Sequence, residues 1–580
     1  MIYIFDTECY KDYFLLMMRD VATGEVFSAE SFPGKPFTVG SLPPVTLVGF
    51  NSRNYDFPIL SLAMAGADNQ TLKNASDDII VHGLKPWHIR DKYGGVDLNA
   101  VDHIDLIEVA PGQCGLKAYG GRMHSRRLQD LPIDPSASIS PTDRAVLRVY
   151  CQNDLETTLD LMNKVRPQLL LREKMSKEYG IDLRSKSDAQ IAEAVIRSEV
   201  EKRLGHRVYR PELHPAYKFH YIAPAYIQFT TPGMRKVLDL VKASEFGLND
   251  KGSVELPPVF ESMRVCVGKG VYTMGIGGLH SNEYRTARRT RLIDRDVTSY
   301  YPSIILTQGL FPQHMGPDFL AVYRSIVERR IAAKVSGDAV TNESLKVVIN
   351  GSFGKLGSKW SILYAPDLMI QVTLTGQLCL LMLIEMVEAV GIPVVSANTD
   401  GVVMDCAVEE QWLLDAVIAH WEHVTGFNTE QTEYRALYSK DVNNYIALKS
   451  DGSVKLKGEY TPSGLQKNNT NTVCTNAVIA YLTEGVPLQE TIRGCKDIRD
   501  FLTIRQVKGG GQYDGKYLGK AVRWYYTNSG KNITSCIKGD KVAKSDGCTP
   551  LMTLPDTLPE DIDYQWYVVE AQSMLDDMGA

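Results

Sequence analysis

The chain opens with Ile4-Phe5-Asp6-Thr7-Glu8, an apolar segment holding two acids two residues apart. Side chains of a β-strand alternate between faces, so residues 2–8 read as a strand with both carboxylates on one face. Residues 13–18 form a second strand candidate able to pair with it, and residues 45–50 a third. Asp56 follows the third in Asn51-Ser52-Arg53-Asn54-Tyr55-Asp56. A helical period begins at Pro141 and carries Val146, Val149, Leu155, Leu159 and Met162. On that helix Tyr150 and Asp154 are four apart and share a face. Strands followed by helices predict an α/β unit ending near residue 200.

Four carboxylates converging on one point repel one another and resist joint ionisation. Divalent cations resolve that conflict. Two hard cations roughly 4 Å apart can activate a water and stabilise the leaving oxygen of a phosphodiester, with Tyr150 orienting the water. Taken singly, Asp6/Glu8 also reads as an exposed strand end and Tyr150/Asp154 as a solvated helix face.

With 580 residues the chain predicts three to five compact units. Its 63 lysines and arginines against 69 acids give a net charge of −6. That disfavours a purely electrostatic nucleic-acid binder, but not a nucleic-acid enzyme, in which only the groove needs a positive field. The ten cysteines form no CxxC pair and no zinc-spaced cluster, and read as reduced thiols. Asp6 is incompatible with a signal peptide, and the longest apolar run, residues 378–384, is too short to span a bilayer. A cytoplasmic protein with no membrane partner is expected.

A second organised region starts with a strand over residues 291–297, where Asp296 stands near the end. Residues 318–335 and 343–353 read as two helices joined by Ser336-Gly337-Asp338, a helical hairpin. A long helix over about 372–390 precedes a strand–turn–strand, 394–396 and 401–404, with Asn398-Thr399-Asp400 at its tip. Two acids on adjacent strand ends are the minimum holder for two magnesium ions in phosphoryl transfer, and the Val297 carbonyl could add an oxygen ligand. The hairpin carries Arg330 and Lys334 four apart, then Lys346, Asn350 and Phe353. Such cationic pairs suit a triphosphate, although the hairpin alone also reads as a solvated basic face.

In this order, both constellations resemble the B-family DNA polymerases that carry a 3′–5′ proofreading exonuclease. Asp6-x-Glu8, Asn51-x3-Tyr55-Asp56 and Tyr150-x3-Asp154 match the three exonuclease motifs. Asp296-x-x-Ser299-Tyr300-Tyr301-Pro302-Ser303 matches polymerase motif A, Lys346-x3-Asn350-Gly351-Ser352-Phe353-Gly354 motif B, and Asn398-Thr399-Asp400 motif C. The resemblance implies an α+β multi-domain fold, an RNase H-like exonuclease followed by a right-hand polymerase. The exonuclease would cover 1–200, a connecting region and first part of the palm 201–317, the fingers hairpin 318–355, the second part of the palm 356–460, and the thumb with a C-terminal helix 461–580. Asp296 and Asp400 would be the polymerase acids, and Asp6, Glu8, Asp56 and Asp154 with Tyr150 the exonuclease set. Each site would take two Mg2+, with Mn2+ a possible substitute. Tyr301 would be the steric gate against a 2′-OH. Arg330, Lys334 and Lys346 would clamp the incoming dNTP, while Asn350 and Phe353 line the nascent base pair. Gly277, Gly278, Tyr445, Lys457 and Arg523 would contact DNA.

Departures from the family pattern are specific. Motif C has Asn398 for the usual Asp, motif A has Tyr300 for Leu, and motif B has Gly351 for Ser and Phe353 for Tyr. The family's glycine motif appears as Gly275-Ile276-Gly277-Gly278, and its Lys-x-Tyr motif as Asn443-Asn444-Tyr445, for which the cation would come from Lys440, or from Lys455 and Lys457. Asp296 to Lys346 and Asn350 to Asp400 are each only 50 residues, which leaves little room for the insertions of protein-primed members. The chain otherwise resembles small phage replicative polymerases in length. Residues 505–546 hold nine lysines and arginines against three aspartates, interleaved with Tyr513, Tyr517, Trp524, Tyr525 and Tyr526. Such a stretch suits sequence-independent phosphate binding, or equally a solvated strand surface. Residues 561–577 are expected as a solvent-facing terminal helix. The partners implied are primer–template DNA, dNTPs and a single-stranded 3′ end, with replication accessory proteins, for a monomer in the host cytoplasm. The alternative is a metal-dependent 3′–5′ exonuclease with a decayed polymerase site, an idea that Asn398 motivates.

Overall fold

The computed structural model describes residues 1–39, 41–42 and 44–580. Two compact units emerge. The first holds residues 1–187, 462–481 and 486–571; the second holds 188–461, 482–485 and 572–580.

In the first unit the opening apolar segment is β1 (Ile2–Tyr10), followed by β2 (Tyr13–Asp20), β3 (Val26–Ser31) and β4 (Thr46–Gly49). Helix α1 (Asp56–Met64) leads on to β5 (His103–Asp105), α2 (Leu116–Arg122) and α3 (Pro141–Lys164). The sheet order is β3-β2-β1-β4-β5, with β1 antiparallel to β2 and parallel to β4. Helix α3 starts where the sequence predicts, because Pro141 is preceded by Ser140. The Ser140 hydroxyl accepts the Asp143 N–H at 3.2 Å, and the Asp143 carboxylate accepts the Ser140 N–H at 2.9 Å, a reciprocal capping box. Leu147, Cys151 and Leu155 of α3 pack with Ile4, Leu15 and Val48 of the sheet, and Leu465 joins them.

In the second unit α4 (Asp188–Leu204) packs on the paired helices α5 (Asp318–Ser336) and α6 (Ala339–Leu356). The hairpin expected from sequence is therefore the visible part of a three-helix cluster. Between α4 and α5 the chain forms β6 (Leu292–Val297). Helix α7 (Pro366–Ala389), β7 (Val394–Asn398) and β8 (Gly401–Asp405) follow α6, and then β9 (Thr429–Asp441), β10 (Asn444–Lys449) and β11 (Val454–Leu456). The sheet runs β11-β10-β9-β6-β8-β7 and continues through His280–Ser281, Gly270–Thr273 and Val265–Val267. Helix α7 is long and apolar enough to cross a membrane by length and composition, a span that the seven-residue apolar run understates. Nearly all of it is buried, as in the core helix of a globular unit.

The C-terminal basic stretch forms a long antiparallel hairpin in the first unit, Thr503–Tyr513 with Lys516–Lys531, its register broken between Gln506 and Gly511. Gly509 and Gly510 there have φ of +76° and +95°, conformations that favour glycine. The terminal helix, Tyr564–Met578, does not simply face solvent, because Tyr567, Ala571, Leu575 and Met578 are buried. In the first unit Tyr567 donates to the Phe501 carbonyl at 2.8 Å and accepts the Tyr526 N–H at 3.0 Å.

Candidate functional sites

The N-terminal acids come together as expected. Asp6 and Glu8 leave the same face of β1, Asp56 begins α1, and Asp154 lies on α3. Asp56 is fixed by Thr7, whose N–H and hydroxyl both donate to one carboxylate oxygen, at 3.1 and 2.5 Å. Burial and then the charge of Asp56 push Asp6 well above the usual carboxylate range. Burial and then Asp154 do the same for Glu8. Burial lifts Asp56 to about 7. Asp154 also rises through burial, although Lys117 opposes it.

Lys117, on α2, escaped the sequence reading. Its ammonium contacts Asp154 Oδ1 and lies 4.4 Å from the centre of the Tyr150 ring. A single lysine in Gly115-Leu116-Lys117-Ala118 carries no local signal, because only tertiary folding brings it to the acids. Asp105 is a second addition. It ends β5 and accepts the N–H groups of Asn51 (2.8 Å) and Arg53 (3.0 Å), holding the loop before Asp56, where Asn51 has φ +58°. Cys151 Sγ–H points to Asp6 at 3.8 Å, and ligand atoms of Asp6, Glu8 and Cys151 lie within 4.8 Å of one another. Burial and Asp6 push the Cys151 thiol up. Buried, mutually repelling oxygen donors with raised proton affinity fit hard divalent cations.

In the second unit β6 and β8 run antiparallel with Asp296 opposite Gly401, and the Val297 N–H donates to the Asp400 carbonyl at 2.7 Å. Asp296 and Asp400 thereby line one cavity of about 270 Å³, together with Tyr445, Lys455 and Lys457. The hairpin tip is tightly held. Thr399 has φ +55°, costly for a β-branched residue, and its N–H donates to the Leu279 carbonyl at 2.7 Å. Gly278 packs so closely that a Cβ would sit 2.7 Å from Thr399 Cα. Gln377 of α7 holds the segment before it, accepting the Gly275 N–H at 3.2 Å and donating to the Gly275 carbonyl at 2.8 Å and to that of Gly277. The glycine segment thus buttresses the tip that carries Asp400.

Three of the departures have a local cause. Asn398 donates to the Val442 carbonyl at 3.0 Å and to Asn443 Oδ1 at 3.3 Å. An aspartate there would face two oxygens with no donor of its own. Tyr300 is buried and donates to the Gly376 carbonyl at 2.6 Å. Gly351 lies under the start of α4, where a Cβ would meet the Asp188 carbonyl oxygen at 2.7 Å and Ala192 Cβ at 3.0 Å.

Asp294, two residues before Asp296 on the same face of β6, is a third acid at this cavity. The Asp-x-Asp spacing on an apolar strand, the same signal as Asp6-x-Glu8, could have revealed it. It accepts from the Tyr434 hydroxyl and from Lys455 Nζ at 2.9 Å. Burial, then Asp294, raises the Asp296 carboxyl. Burial also raises Asp400, opposed by Lys457. The oxygen-only donor set of this pair fits hard divalent cations as well.

The remaining sites have definite places. Tyr301 stacks on Phe353 with ring centres 4.1 Å apart and planes at 28°. Arg330 donates to Ser299 Oγ at 3.2 Å. Lys334 pairs with Glu430 at 3.1 Å and Lys346 with Glu343 at 3.4 Å, all exposed or half-exposed. Asn350 is exposed on α6. Tyr445 stands opposite Ser439, and Lys440 is engaged by Glu459 and Asp577 at 3.1 Å each. Arg523 requires correction. It is 0% exposed and donates only to the backbone carbonyls of Ser125, Arg126, Leu551 and Met552, so it cannot reach a phosphate. Burial lowers its pKa to about 10. Trp524, Tyr525 and Tyr526 are buried too, so the hairpin's aromatic residues serve the core as well as the surface.

No family model matches the chain, and no curated protein does. Among solved structures it is similar to the family B DNA polymerase of the hyperthermophilic archaeon Pyrobaculum calidifontis, at 14% identity and a TM-score of 0.41, over 100% of this chain and 77% of that one.

Proposed function

We propose that the chain is a template-directed DNA polymerase with a 3′–5′ proofreading exonuclease. The observation that carries the polymerase reading is the pairing of β6 with β8, which sets Asp296 beside Asp400 in one cavity. Divalent cations held by these acids would lower the pKa of a primer 3′-OH and neutralise the departing pyrophosphate. The chain's own residues do the positioning. Tyr301, backed by Phe353, presents a flat ring that would exclude a 2′-OH. Arg330, Lys334 and Lys346 supply cations for the triphosphate. Tyr445 and Lys457, beside the acids, are suited to the primer end.

The exonuclease reading rests on the quartet of half-buried Asp6 and buried Glu8, Asp56 and Asp154. Tyr150 would orient the attacking water, and Lys117 would hold Asp154 and add a positive charge for the scissile phosphate. The two 50-residue intervals between motifs leave little room for protein-priming insertions and so favour a primer-dependent enzyme, while the chain's length is like that of small phage replicative polymerases. Asn398 does not favour a decayed polymerase, because its amide is fully used in holding the 442–443 loop.

The test is extension of matched and mismatched primer ends, with and without dNTPs, in Mg2+. Growth of the matched primer and trimming of the mismatched one support both activities. Shortening alone, whatever the dNTP supply, would leave only the nuclease.

A further inference from the structure

Asp294 is 3% exposed, and a carboxylate so placed needs a compensating charge. Lys455 supplies it from β11. Its ammonium lies 2.9 Å from Asp294 Oδ2 and 3.4 Å from Asp296 Oδ2, while the Tyr434 ring is 5.7 Å away. Tyr434 donates its hydroxyl to the same Asp294 oxygen. Gly401 keeps the opposite side open, where a Cβ would overlap Asp296 Oδ1 and lie 3.5 Å from Asp294 Oδ1. The ammonium is therefore anchored on a buried acid and shared with one that faces the cavity.

We propose that Lys455 is a positioning residue of the polymerase centre, an internal cation seated on Asp294 that orients Asp296 and sets how tightly the site binds divalent cations. The inference rests on the reading of Asp296 and Asp400 as cation holders. Its chemistry differs from that of a phosphate-binding lysine, because two carboxylates already claim the ammonium. Removing the charge should have two opposite effects. The acids left without it attract a divalent cation more strongly. Asp296, no longer tethered, holds its geometry less well. A lysine that only supported the fold would weaken binding and turnover together.

The experiment uses the full chain carrying Asp6→Ala, Glu8→Ala, Asp56→Ala and Asp154→Ala, which removes the N-terminal cation holders from every variant compared. Mn2+ affinity is read by electron paramagnetic resonance of the free ion, alongside single-nucleotide extension. Lys455→Met should bind Mn2+ about tenfold more tightly and extend at least tenfold more slowly. Asp294→Asn should bind Mn2+ more weakly, because the ammonium then pairs with Asp296 alone. The double variant Asp294→Asn/Lys455→Met replaces both charges with neutral groups, which preserves folding if Lys455→Met alone does not. Its affinity should return to within about threefold of the parent, with extension still slow. Unchanged or weaker Mn2+ binding in Lys455→Met, or a double variant no closer to the parent than the singles, would overturn the proposal. A parent that binds Mn2+ through Asp400 but never extends a primer would refute the polymerase reading, while the affinity series still judges Lys455.

Discussion

Gly401→Ala probes the proposed polymerase centre without removing any of its functional groups. The backbone at 401 lies outside the left-handed region, so alanine fits β8. The new methyl, however, would overlap Asp296 Oδ1. A carbon–oxygen contact settles near about 3.3 Å, so the carboxylate must shift by about 1 Å. A misplacement of that size costs about 10²-fold in rate, or about 2.7 kcal/mol of barrier. The assay is single-turnover addition of one dNTP, with trimming of a single-stranded oligonucleotide by the same preparation as control. Extension should fall about 100-fold while trimming stays within about twofold, because Asp6, Glu8, Asp56 and Asp154 belong to the other unit. Extension within threefold of the parent in a folded variant would refute the claim that the position of Asp296 governs the chemistry.

Other perturbations test separate links. Arg523→Met removes the side-chain donor from four backbone carbonyls, of which those of Arg126 and Met552 keep a backbone donor, and should lower stability by roughly 1–3 kcal/mol in urea denaturation; a loss of DNA affinity at unchanged stability would contradict its burial. Tyr301→Ala should admit ribonucleotides at least tenfold more readily in competition with dNTPs, and unchanged sugar selection would dismiss the gate. In chelator, the raised folded-state pKa values of Asp6, Glu8 and Asp56 mean that the native state binds more protons than the unfolded chain above about pH 4. That part of the stability should decline as pH rises from 4 through about 7, and Asp56→Asn should flatten the decline in Tm. A Tm contribution from these acids that rises over that range would show the sign to be wrong.

Much of this architecture was legible because the signals are local. The cap at Ser140 and the apolar period after it define α3, and the period-two placement of Asp6 and Glu8 defines β1. The two halves of the helical hairpin announce themselves by a Ser-Gly-Asp turn. What was missed depends on distant partners. Lys117 and Asp105 matter only because folding brings α2 and β5 to the acids. Arg523 looks like its basic neighbours, and nothing nearby in sequence tells that four carbonyls from two other segments surround it. Gly351 and Tyr300 look like departures from a motif until α4 and α7 are seen packed against them. Asp294 was within reach of the argument already applied to Asp6 and Glu8.

The most direct measurement pairs two variants on one primer–template substrate. Asp400→Ala should abolish extension and keep 3′ trimming, whereas Asp6→Ala with Glu8→Ala should abolish trimming and keep extension. Loss of both activities from either folded variant would contradict two separate centres, one built on β6 and β8 and the other on β1.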